Sequence, residues 1–243
     1  MSIRLPQIPE ADSSVVAVLA HLHGQGTPCP RSLYLHIPFC FHKCHYCDFY
    51  SLVDSRDRQE PFVERLEQEI RALGPLAGAK PLQTIFVGGG TPTLLRPLLW
   101  ERLLGVLHEI FTFGPQDCEF SVECNPETAS AELFDILVQG GVNRLSIGCQ
   151  SFDPTHLATL ERWHDPASVA CAIELARSAG IARLSLDLIF AIPGQTLEQW
   201  ETDLRRALDF GITHLSCYCL TYEPNRHDDS AWAGRVLALR SRS

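Results

Sequence analysis

The stretch Ser32-Leu-Tyr-Leu-His-Ile37-Pro-Phe-Cys40-Phe-His-Lys-Cys44-His-Tyr-Cys47-Asp-Phe49 decides how the rest of this chain is read. It opens as an apolar, strand-like run and passes directly into a loop with three cysteines spaced C-x3-C-x2-C. Thiolates this close in one loop can grip a single metal centre, and iron–sulfur clusters are held by such thiolates. Three is the telling count. A cubane cluster has four irons, so three protein thiolates leave one iron able to take a ligand that is not protein. The alternative is a Cys3His zinc site, since His42 and His45 lie inside the loop and structural zinc is closed by four N or S ligands. A disulfide framework does not fit: 10 cysteines are spread over 243 residues, with nothing at the start that reads as a secretory leader.

Outward from that loop, short apolar runs alternate with helical patterns. Strands are expected at 32–37, 83–87, 119–123, 144–148, 183–188 and 214–220. Between them, the segment after Pro61 places Phe62, Leu66, Ile70 and Leu73 on one face. Pro97 opens a second helix, and Ser130–Gln139 forms a third, closed by Gly140-Gly141. Asp165-Pro166 supplies an N-cap and N1 proline for a fourth, ended by Gly180. Thr196 with Gln199 is a capping box, followed by Trp200, Leu204 and Leu208 as one apolar stripe. Strand–helix alternation of this kind means an α/β fold with parallel strands and helices outside; six units suggest a partial, TIM-like (β/α)6 barrel rather than a closed eightfold one. Residues 1–31 read as a weakly ordered lead-in, 32–225 as the core domain and 226–243 as a tail.

Composition narrows the function classes. The chain is 45% hydrophobic and 20% charged, ordinary for a globular protein. A formal net charge of −9 argues against nucleic acid or an anionic membrane as the main partner. No apolar run approaches the ~18 residues a membrane span needs, and no targeting pattern is visible near Met1, so the expectation is a cytoplasmic protein. The seven cysteines outside the triplet read mostly as small core residues.

In such a fold chemistry gathers where strands run into helices, and nearly every strand exit here carries an unusual residue. The second exit is Gly88-Gly-Gly90-Thr91-Pro92, where missing Cβ atoms allow close backbone approach. It lacks the Lys-Ser/Thr of a phosphate-cradling loop. The third exit is Glu123-Cys124-Asn125-Pro126, the fourth Ser146-Ile-Gly-Cys-Gln150-Ser-Phe152, with Arg162 twelve residues on. Taken alone, Glu123 also reads as a solvated strand end and Arg162 as an exposed helix arginine. The fifth exit, Leu186-Asp187-Leu188-Ile189-Phe190-Ala191-Ile192-Pro193-Gly194-Gln195-Thr196, holds an aspartate in so apolar a strand that it demands partners.

These motifs together resemble the radical S-adenosylmethionine (SAM) superfamily, whose signature is the C-x3-C-x2-C loop and whose core is a (β/α)6 partial barrel. The resemblance implies that Cys40, Cys44 and Cys47 hold a [4Fe–4S] cluster, that SAM chelates the fourth iron, and that an electron cleaves it to a 5′-deoxyadenosyl radical. It implies SAM contacts from Gly89, Gly90 and Thr91 at the amino group, and from Tyr34, Glu123, Gln150, Arg162 and Asp187 elsewhere. Ala191 departs from the glycine usual at its position.

Over roughly residues 32–225 the motifs are similar to the branch holding oxygen-independent coproporphyrinogen III oxidases and HemW-type haem chaperones. Oxidases continue after the third cysteine with Gly-Cys; here Asp48-Phe49 follows, the chaperone pattern. Implied partners are haem or a porphyrin, a haem-requiring target protein and an electron donor. The oxidase, which decarboxylates propionates, and a zinc-stabilised binding module are the rival readings. The resemblance also implies a smaller C-terminal domain past Glu223-Pro224-Asn225, whereas the sequence stops eighteen residues later. The expectation is therefore a C-terminally truncated chain without that domain's haem-handling segment. The sequence identifies no axial haem ligand; His36, four residues before Cys40, is the histidine to mutate first.

Overall fold

A computed structural model describes residues 29–74, 78 and 80–221. The expected lead-in over residues 1–28, the Glu223-Pro224-Asn225 end of the last motif, the tail 226–243, and His21, His23 and His227 lie outside the described residues.

Six parallel strands form one sheet: β1 (Ser32–Ile37), then β4 (Thr84–Gly89), β5 (Glu119–Cys124), β6 (Arg144–Gln150), β7 (Arg183–Phe190) and β8 (His214–Cys219), paired in that order. Two-residue strands β2 (Phe39–Cys40) and β3 (Leu52–Val53) pair with each other and pinch the ends of the cysteine loop together. The crossovers are α1 (Gln59–Leu73), α2 (Pro97–Ile110), α3 (Ala131–Gln139), α4 (Pro154–Thr159), α5 (Pro166–Ser178) and α6 (Leu197–Asp209). A sequential all-parallel order is what a partial barrel requires, because each helix returns the chain to the next strand along.

Local signals set the ends of these elements. Ser130 accepts from Leu133 N, Asp165 from Ala167 N, and Thr196 and Gln199 form the reciprocal box. The short α4, capped by Asp153 at Thr155 N, is an addition the periodicity did not reveal, because six residues hold fewer than two turns.

The outward sheet face is the core. Ile85, Val87, Phe120, Val122, Leu145, Ile147, Leu186 and Leu188 are buried with Leu99, Leu103, Leu133 and Ile173 of the helices. Two details of the expected packing change. In α1 the fully buried residues are Val63 and Ile70, with Phe62 and Leu66 only part-covered. In α6, Leu208 is 57% exposed while Asp203 is 2% exposed; the buried positions Asp203 and Ala207 rotate the stripe away from Leu208. The cysteines also divide. Cys118, Cys124 and Cys149 are buried as expected, but Cys171, Cys217 and Cys219 are exposed. Cys171 lies on an exposed position of α5, and β8 is exposed at Cys217, Tyr218 and Cys219.

Candidate functional site

The opposite sheet face is polar, unusual for a parallel sheet, which is normally apolar on both sides. Register puts Glu123 beside Ser146 and Ser146 beside Ser185, and Gly148 beside Asp187 beside Ser216. At the carboxyl ends of these strands lies a cavity of ≈ 320 Å³.

Eight of the eleven predicted site residues line it: Cys47, Gly89, Gly90, Thr91, Glu123, Gln150, Arg162 and Asp187. Asp48 and Phe49, which follow the third cysteine, line it too. Cys40 and Cys44 belong to the same loop without lining the cavity. Cys40 Sγ lies 3.7 Å from Thr91 Oγ1, and Cys44 Sγ lies 3.8 Å from the Glu161 carbonyl. Tyr34 stands apart: it is 55% exposed, and its hydroxyl meets His36 Nδ1 at 3.0 Å. His36 is fully engaged, its Nε2 lying 2.7 Å from the Tyr50 carbonyl.

The glycine run is held by the chain itself. Gly90 N donates to Ile37 O at 2.8 Å and Thr91 N to Phe39 O at 2.7 Å, so the loop is stitched to β1 and β2. Buried Trp100 anchors it from below, donating to Pro92 O at 3.1 Å. A Cβ on Gly90 would sit 2.7 Å from the Phe39 carbonyl, and Gly89 has φ +121, so neither position admits a side chain.

Gly89 N donates to Glu123 Oε2 at 3.0 Å. Burial, reinforced by Asp187, raises the Glu123 carboxyl to about 7 against the pull of that N–H. The solvated-strand-end reading of Glu123 is set aside. Asp187 accepts from Ser146 Oγ at 2.9 Å; burial raises its pKa too, opposed by Ser146 and Ser216. These serines are the partners that its apolar strand demanded.

Gln150 lies at a register shift between β6 and β7 and has φ +66. Such a bulge beside a cavity re-aims the side chain. Arg162 follows α4 in a loop, not on a helix, and its Nη2 donates to Gly148 O at 3.0 Å. Buried Asp203 holds the Gln150 loop from outside, accepting from Ser151 Oγ at 2.7 Å and Phe152 N at 2.8 Å. Sequence reasoning missed Asp203, although it falls i+3 from Trp200 and i−4 from Ala207 on the apolar stripe.

The cysteine loop has two anchors. Tyr46 packs on a small cluster of Leu160, Ile189, Ile192 and Leu220, and burial raises its pKa. Glu161 takes the loop histidines, Oε2 3.0 Å from His42 Nε2 and Oε1 2.7 Å from His45 Nδ1. Cys44 is pushed up by burial and pulled down by Arg162. Among the described residues no three His, Cys, Asp or Glu side chains gather closely enough for one ion. Three cysteine thiols on one loop are the kind of donor set that an iron–sulfur cluster takes.

With six parallel strands, a polar inner face and a three-cysteine loop at its mouth, the class is defined. The Radical SAM superfamily profile matches residues 34–207, and the chain belongs to that superfamily. It is 40% identical over 194 residues to the haem chaperone HemW of Bacillus subtilis, covering 80% of this chain and 51% of that one. The Escherichia coli coproporphyrinogen III oxidase HemN, a radical SAM enzyme, superposes with a TM-score of 0.77 at 27% identity, over 95% of this chain and 56% of that one. The methyltransferase TsrM of Kitasatospora setae, solved with cobalamin and a [4Fe–4S] cluster, shares the fold at TM-score 0.57 and 15% identity, over 76% of this chain and 36% of that one. The chain spans about half the length of the curated relatives it matches. Among the described residues no helix is long and apolar enough to cross a membrane.

Proposed function

We propose that residues 32–225 are the radical SAM core of a cytoplasmic haem chaperone of the HemW type. The observation that carries this reading is the convergence of residues from five strand exits on one cavity beside Cys47. Cys40, Cys44 and Cys47 would hold a [4Fe–4S] cluster through three of its irons, and SAM would take the fourth. When bound, that pair supplies one-electron chemistry; the protein contributes position and electrostatics.

Gly89 and Gly90 let the amino-acid end of SAM approach the main chain, because neither carries a Cβ, and Thr91 follows them at the cavity wall. Glu123 and Asp187 offer negative charge to a cationic cofactor in a partly desolvated site. Gln150 donates and accepts hydrogen bonds, and Arg162 orders the cysteine loop and the bulge together. Tyr34, outside the cavity lining, is assigned to SAM on the family resemblance alone. Haem, a haem-requiring recipient and an electron donor are the partners of this reading.

The Asp48-Phe49 continuation favours the chaperone over the oxidase, and Glu161's hold on His42 and His45 disfavours a Cys3His zinc site. The test is anaerobic reconstitution with iron, sulfide and zinc analysis, followed by titration with haem and incubation with coproporphyrinogen, SAM and reductant. Iron and sulfide in cluster ratio, stoichiometric haem uptake and no decarboxylation are expected. Colourless protein holding zinc, or release of CO2 from coproporphyrinogen, overturns it.

A further inference from the structure

We propose that Glu161 is a positioning residue that latches the cysteine loop to the barrel rim through His42 and His45, setting how tightly the three thiols are held. The inference rests on the cluster reading above for one arm of its test only.

The geometry is specific. One carboxylate reaches two imidazoles that flank Cys44, at 3.0 and 2.7 Å, and the same residue's carbonyl lies 3.8 Å from Cys44 Sγ. Glu161 belongs to the opposite side of the site, in the turn that ends α4, more than a hundred residues along the chain from the loop. The indole of Trp163 adds a stacked contact to His42, with ring centroids 4.7 Å apart. Its neighbour Arg162 donates to the Gly148 carbonyl, so the turn is tied to the floor on one side and the loop on the other.

Glu161 also has φ +52, a left-handed conformation that non-glycine residues seldom adopt. Glycine would be the unstrained choice there. A residue kept in an unfavourable conformation while its side chain spans two partners points to a role for that side chain. Both imidazoles can donate an N–H as neutral tautomers, so the latch does not depend on protonating either histidine. The second anchor, Tyr46 on its apolar cluster, holds the loop's middle; Glu161 holds its first half, where Cys40 and Cys44 sit.

Glu161→Gly separates latch from fold, because it removes the carboxylate and relieves the strained φ together. In cluster-free protein, alkylation of Cys44 by iodoacetamide, followed by mass spectrometry, should run about fivefold faster than in the parent, with Glu161→Gln between the two. The thermal midpoint of Glu161→Gly should be no lower. In reconstituted protein the same variant should lose iron to a chelator about tenfold faster and show an altered reduced-cluster EPR signal. Unchanged alkylation, or a lowered midpoint with unchanged alkylation, overturns the proposal. If the parent takes up no cluster, the cluster reading fails, and the alkylation arm still decides the latch.

Discussion

On β7, Leu184, Leu186 and Leu188 are buried against helices, while Ser185 and Asp187 between them turn to the opposite face. The same contrast repeats on β5, with Phe120 and Val122 outward and Ser121 and Glu123 inward. The outward face is held by area and close packing, where shape decides energy. The inward face is held by a few hydrogen bonds among groups that would rather be wet, and its energy depends on pairing. One face therefore carries stability, and the other is free to carry a ligand.

The contrast breaks first at its strong side. Phe120 is 0% exposed, and Phe120→Ala should cost about 3–5 kcal/mol, read as a shift in urea midpoint. Among the described residues the side chain of the inward Ser185, equally buried, meets only Ser216 Oγ at 3.4 Å, so Ser185→Ala should stay within about 1 kcal/mol. Equal losses at both positions would show that the two faces are not different in kind.

Asp203 sharpens the comparison because it is a polar group placed on the packed side. Asp203→Asn keeps the shape but sets an NH2 against one of two donors, Ser151 Oγ or Phe152 N. A loss of about 2–3 kcal/mol is expected, with weakened SAM binding because the Gln150 bulge loses its outer support. Retained stability with full affinity would mean that the loop is held by Arg206 alone, whose Nη1 donates to Phe152 O at 3.2 Å.

How much of this was legible in the sequence follows the same division. Strand alternation in Leu145-Ser146-Ile147-Gly148-Cys149-Gln150 exposes both faces at once, since a period of two separates them without knowledge of partners. The caps at Asp165 and Thr196 are equally local, and both were found where expected. Asp203 and Glu161 were not legible. Each acts on a segment 50 or more residues away, and a charged residue in a helix or turn reads as solvated until its partner is known. Leu208 failed for the same reason: which side of α6 faces inward was decided by Asp203's partners, not by the count of leucines.

On the inward side, Glu123 tests how far the floor is dry. Its folded pKa, raised to about 7, lies above the ordinary carboxylate value, so ionisation costs the folded state. The favourable contribution is complete below about 4.5 and is lost as pH rises through about 7. Glu123→Gln should then be more stable than the parent by about 3 kcal/mol at pH 8, a difference that vanishes near pH 4.5. The parent's affinity for cationic SAM should rise up to about tenfold between pH 6 and 8, and the variant's should be flat. Parallel pH profiles for the two proteins would place Glu123 in water rather than in a partly dry cavity.

The smallest effect concerns backbone rather than side chain, and it lies where the two faces meet. Ala191 follows β7 with φ +61, in the left-handed region, where a Cβ crowds the adjacent carbonyl at about 1–2 kcal/mol. Glycine removes that crowding and gives back part of the gain, because the unfolded chain becomes freer by about 0.5–1 kcal/mol. Ala191→Gly should therefore raise stability by about 0.5–1 kcal/mol, measured by urea midpoint at constant slope. Ile189 lines the cavity just before this turn, and Ile192 packs beneath Tyr46 just after it. If relieving the turn also slows Cys44 alkylation, strain at Ala191 is transmitted to the cysteine loop; if stability rises with alkylation unchanged, the turn bears its strain locally and the loop answers to Glu161.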